Sequence, residues 1–199
     1  MIKQKRIALL MAGTLLAALL TACGSEPVEV TTIEIDKEGA LTSVIYDEFS
    51  EDYLSVDELS EMATREIEAY NSEYLSERVS LGDVEYDKGD KFVKFSMNFK
   101  SAEDFSNFNQ ETVFYGTLGD ARDAGYTIST SLVDRAGDSI DASFIEDHPD
   151  SHIIITTDKA NFKTPYKIRY MSKGVVLLND KEAVLQDVTG DSATLLLAK

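Results

Sequence analysis

The chain has 199 residues, with 19 Lys and Arg against 36 Asp and Glu and a formal net charge of -17. That surplus of acid repels nucleic acid and anionic lipid surfaces, so neither is an expected partner, and cations or basic groups suit it better. A single cysteine excludes an intramolecular disulfide, and the length suits one domain with a real hydrophobic core.

Lys3, Lys5 and Arg6 precede an apolar run from Ile7 to Leu20, and small residues follow. A basic start, a short apolar core and a small-residue exit make a secretory signal. The run is shorter than the roughly 20 apolar residues that a membrane-spanning helix needs. Leu20-Thr21-Ala22-Cys23-Gly24 resembles the lipobox of bacterial lipoproteins. The resemblance covers the signal and Cys23 alone. It implies cleavage after Ala22, attachment of a diacylglyceryl group with acyl chains such as palmitate to the Cys23 sulfur, and residence on the extracytoplasmic face of a bacterial membrane. Two acyl chains hold a protein there stably where one is marginal. The alternative is an ordinary cleaved signal that removes Cys23 or leaves it as a free thiol. Residues 1–22 hold three of the 19 basic residues and none of the 36 acids, so the remaining 177 residues carry 16 against 36, a net charge of -20.

Residues 23–27 read as the lipidated cysteine and a short tether, and residues 28–199 as one extracytoplasmic domain. Val28 and Val30, then Ile33 and Ile35, alternate with a change of parity, which predicts a strand with a bulge or bend at Thr31-Thr32. Asp36-Lys37-Glu38-Gly39 predicts a turn, and residues 41–49 the returning strand. Ser55-Val56-Asp57-Glu58 has the form of a capping box and opens a helix over residues 56–74. Helical rotation gathers Val56, Leu59, Met62, Ala63, Ile67, Tyr70 and Tyr74 into one apolar stripe. Glu66 falls inside that stripe, either as a buried carboxylate with a raised pKa or as an edge residue in water.

Residues 79–87 and 91–100 predict a hairpin, with Val93, Phe95, Met97 and Phe99 on a core face and Lys94, Ser96 and Asn98 on a wet one. Ser101, with Asp104 three residues on, caps a short helix or turn reaching Phe108, and Thr117, with Asp120, caps a brief helix that stops before Gly125. A short strand over residues 112–115 separates the two. Tyr126, Ile128, Thr130 and Leu132 alternate as a strand, and residues 134–151 form a long acidic loop around Ile140, Phe144 and Ile145. Short strands follow at residues 153–156, 166–170, 175–178, 183–188 and 193–198.

His148-Pro149-Asp150-Ser151-His152 holds both histidines of the chain, beside Glu146 and Asp147. Imidazole with carboxylate is a ligand set for a transition metal, so Asp147, His148 and His152 are candidate ligands of a divalent cation. Pro149 disfavours the helix that would put both histidines on one face, and no further His completes the shell. The structural alternative is a surface turn leading into the strand at Ile153. Asp134, Asp138 and Asp141 offer oxygens to a hard cation without the calcium-loop spacing. Gly116-Thr117-Leu118-Gly119 lacks the spacing of a phosphate-binding loop, and HExxH, GxSxG and SxxK are all missing.

These elements predict an α+β fold with a largely antiparallel sheet. The functional expectation is a non-catalytic binding or accessory module of the cell envelope, without a cofactor, whose partner is an envelope protein or cell-wall component. It resembles small bacterial surface lipoproteins in this respect. The competing expectation is an envelope hydrolase or metal-dependent enzyme using scattered carboxylates and His148 with His152.

Overall fold

The computed structural model describes residues 30–49, 55–89 and 91–198. The lipobox at Leu20 to Cys23 therefore lies outside the described residues. In chain order the elements are β1 (Thr32–Ile35), β2 (Leu41–Glu48), α1 (Val56–Asn71), β3 (Val79–Asp87), β4 (Phe92–Phe99) and α2 (Ala102–Asn109). Next come β5 (Val113–Thr117), α3 (Leu118–Asp123), α4 (Ala142–Asp147), β6 (His152–Thr156), β7 (Asn161–Lys163) and β8 (Lys167–Met171). The described chain closes with β9 (Val176–Leu177), β10 (Glu182–Val184) and β11 (Ala193–Ala198).

The fold is α+β with two sheets. One sheet has the order β3-β4-β2-β1-β7-β10-β9 and the other β5-β6-β11-β8. The strands after His152 are thus divided, three joining the first sheet and three the second. β1 runs parallel to β7 while the other pairings are antiparallel, so the first sheet is mixed.

One apolar cluster spans both sheets, joining Ile33, Leu41, Phe99 and Phe162 of the first to Ile154, Leu195 and Leu197 of the second. A second cluster sits on the opposite face of the smaller sheet, where Ile153, Ile155 and Leu196 meet Leu118, Ala121, Leu132, Ile140 and Ile145. Because side chains alternate along a strand, β6 and β11 serve both clusters, and the smaller sheet is a middle layer.

Several local expectations change in this setting. The parity change before Ile33 marks the start of β1 rather than a bulge within it, since Val30 is exposed and pairing begins at Thr32. α1 ends at Asn71, whose side chain accepts from the N–H groups of Arg78 and Val79 and donates to the Val79 carbonyl, turning the chain into β3. Of the expected stripe Leu59 and Ile67 are buried, Val56, Ala63 and Tyr70 pack half-buried against the core, and Met62 is 41% exposed. Ser96, expected on the wet face of β4, is buried because β3 bulges at Gly82-Asp83 and the Ser96 hydroxyl donates to the Asp83 carbonyl. A Cβ at Gly82 would meet that hydroxyl at 2.4 Å.

The strand expected over residues 126–132 does not form. Tyr126, Ile128 and Leu132 pack on the second cluster, so their alternation reflects burial rather than pairing. The acidic stretch after it is not a plain loop either. Asp141 caps α4 by accepting from the Ser143 N–H, and Ile140 and Ile145 are core.

Candidate functional site

Glu66 is exposed, which rules out the buried carboxylate and agrees with the alternative of an edge residue in water. The packed face of α1 is narrow, centred on Leu59 and Ile67, and leaves the neighbouring turn of the helix in water. The buried acid of this region is Asp104, in the first turn of α2, which is 4% exposed. The Tyr70 hydroxyl donates to its Oδ1 at 3.2 Å and the Ser101 hydroxyl to its Oδ2 at 2.7 Å. Arg78 stands 3.8 Å from the same Oδ2 and lies 5.2 Å over the ring of Tyr74, whose hydroxyl donates to that of Tyr70. Burial foremost, then the bond from Tyr74 and the charge of Asp104, push the Tyr70 phenol well above its ordinary range. The network joins the end of α1 to the start of α2, and its phenol stays a donor at neutral pH.

The two histidines point to different surroundings. His148 caps the end of α4, where its ring stacks on Phe144 at 4.0 Å and its Nδ1 is 3.0 Å from the Phe144 carbonyl. Arg169 covers Phe144 at 4.4 Å. Arg169 is the extra residue of a bulge, because Tyr170 pairs with Leu196 and Ile168 with Leu197, and a bulge re-aims the side chain it carries. His152, on β6, lies between the rings of Tyr115 and Tyr166 at 5.4 and 5.2 Å. Asp147 is exposed at the end of α4. Among the described residues, no three His, Cys, Asp or Glu side chains come together as a metal-holding group.

Around His152 the structure assembles a constellation that the spacing of its members conceals. The Tyr115 hydroxyl is buried and has no hydrogen-bond partner among the described residues. Burial, with Tyr166, Asp36 and Glu38 nearby, pushes that phenol up to about 12. The β1-β2 turn presses on the same ring, for a Cβ at Gly39 would stand 3.2 Å from it, and Gly39 has φ of +88. Tyr115 and His152 thus meet through their ring faces, with the buried phenol beside the imidazole. Asp120 faces His152 electrostatically, and the Thr117 N–H holds its carboxyl below the usual range.

A concave surface lies elsewhere. An open groove of about 440 Å³ lies between the turn at Asp134 to Gly137 and the loop from Ser172 to Val175. Val133, Met171 and Leu177 give it an apolar floor, and Arg135 and Lys173 stand at its rim. Arg135 pairs with Asp180 at 3.1 Å, and Lys167 holds the other oxygen of that carboxylate at 2.7 Å. The only sequence sign of this region is local charge: residues 159–185 carry six Lys and Arg against two Asp and Glu in an otherwise acidic chain. No family model, curated protein or solved structure matches the chain.

Proposed function

We propose that the chain is an extracytoplasmic bacterial lipoprotein, held at the membrane by a lipid on Cys23, whose domain acts as a non-catalytic binding or accessory module of the envelope. The observation that carries this reading is Leu20-Thr21-Ala22-Cys23 at the end of a basic-then-apolar leader, with Cys23 the sole cysteine of the chain. A sulfur committed to lipid fits a domain that needs no disulfide.

From Cys23 to the first described residue, Val30, the chain reaches at most roughly 25 Å when fully extended. A domain on such a tether works close to the bilayer. In this reading it acts as one compact unit, with α1 laid beside β3 as its principal helix. The polar groups it brings together serve the fold: the buried Asp104 braces two helices, and the Arg169-Phe144-His148 stack fastens α4 to the middle sheet at the surface. The partner is then met by the surface, and an envelope protein or cell-wall component is the class proposed.

The test is Cys23→Ala in the native host. The parent is expected in the membrane fraction and the variant outside it, and a variant that stays with the membrane as the parent does sinks the anchor.

A further inference from the structure

The larger sheet ends at β9, and this edge combines three features. Val176 of β9 and Leu178, the residue just past its end, are 50% and 53% exposed and lie two residues apart along one face of the chain. The Leu178 N–H donates to the Glu182 carbonyl of β10, so antiparallel alternation turns the N–H and C=O of Leu177 away from β10. Leu177 also lines the open groove.

We infer that β9 is a self-association edge, on which a second copy of this chain lays its own β9 antiparallel with the two-fold axis at Leu177. The symmetry fixes the register. The two Leu177 residues exchange both of their outward main-chain hydrogen bonds, as one closed antiparallel pair does. Val176 of each copy then lies opposite Leu178 of the other, so the exposed aliphatic side chains cover one another. The same register sets Asp180 opposite Gly174 of the second copy, next to its Lys173.

Charge agrees with this choice of edge. Arg135 and Lys167 pair with Asp180, and Lys163 with Glu182, within each copy, so this edge presents balanced charge to a second copy. At the other end of the sheet β3 carries Asp83, Glu85 and Asp87, where like copies repel. A two-fold pairing also closes on itself, which an edge-to-edge chain of copies does not.

The register supplies the experiment. Full-length chains carrying Val176→Cys and Leu178→Cys are expressed separately and together in the native host, and intact cells are treated with a mild oxidant. Opposed residues in a non-hydrogen-bonded pair have Cα atoms about 4.5 Å apart, within disulfide reach, whereas Val176 against Val176 lies beyond the roughly 7 Å limit. The co-expressed pair is expected to give roughly tenfold more disulfide dimer than either variant alone or than Glu38→Cys, a collision control on an exposed turn distant from β9 in the sheet. Equal dimer in all of these, or none in the pair, overturns the proposal. Unaltered chain, whose only cysteine is Cys23, runs alongside: dimer in that lane means an unlipidated Cys23 and counts against the anchor, separately from the edge.

Discussion

The seven-stranded sheet buries one face, and its clearest strand alternates accordingly. Val93, Phe95, Met97 and Phe99 of β4 enter the core, while Asn98 is exposed and Lys94 half-exposed. The four-stranded sheet buries both faces, and its central strands read as unbroken apolar runs, Ile153-Ile154-Ile155 in β6 and Leu195-Leu196-Leu197 in β11. Antiparallel sheets usually keep one face wet, and this one is dry because the segment from α3 through α4 covers what the larger sheet does not. The difference shows where polar chemistry can sit. The central strands of the middle layer have no wet face to offer, so polar groups gather at strand ends and on the outer strands. His152 sits at the start of β6 and Tyr115 on the edge strand β5.

The largest test of that contrast is to truncate neighbours in the middle layer. Leu195→Ala and Leu196→Ala face different clusters, and each is expected to cost about 2–5 kcal/mol in urea unfolding because both leave cavities. On β4, Asn98→Ala should stay within about 0.5 kcal/mol, as surface changes usually do. If Leu196→Ala unfolds like the Asn98 variant, the second cluster is not a packed layer.

A smaller effect is expected at the brace between the helices. Asp104→Ala leaves the hydroxyls of Tyr70 and Ser101 without their acceptor and should cost about 1–3 kcal/mol. The Arg78 contact adds little to this, since it is long and Arg78 is 40% exposed. Glu66→Ala, at an exposed position on α1, should barely move the melting temperature.

The smallest effect is electrostatic. Hydrogen bonding and charge from Lys167, then the charge of Arg135, hold the Asp180 carboxyl below its ordinary value of 3.8, and the Ser143 N–H does the same for Asp141. A depressed folded-state value means that this stabilisation is present above 3.8 and is lost as pH falls through the lower value. Asp158 has the opposite sign. Burial raises its carboxyl, so its contribution is present at low pH and fades as pH rises through the raised value. Carboxyl titration by nuclear magnetic resonance should therefore find Asp180 and Asp141 ionising below Asp158, and the reverse order would contradict the placement of all three.

Signals carried by neighbours in sequence were legible. Ser55, Ser101 and Thr117 start helices where their hydroxyls meet free backbone N–H groups a turn ahead, and Gly39 lets the first hairpin turn with positive φ. The two hairpins and the α+β class followed from the same short-range rules. Tertiary structure decided the rest, because burial depends on what arrives from elsewhere. Alternation at Tyr126, Ile128 and Leu132 became core packing without a strand, since another sheet's face needed cover. Asp104 became the buried acid and Glu66 the wet one, since only Asp104 meets Tyr70 from another helix. Tyr115, His152 and Tyr166 share a site that no spacing announces, while the address written in Leu20 to Cys23 is read from sequence alone because it is a linear signal.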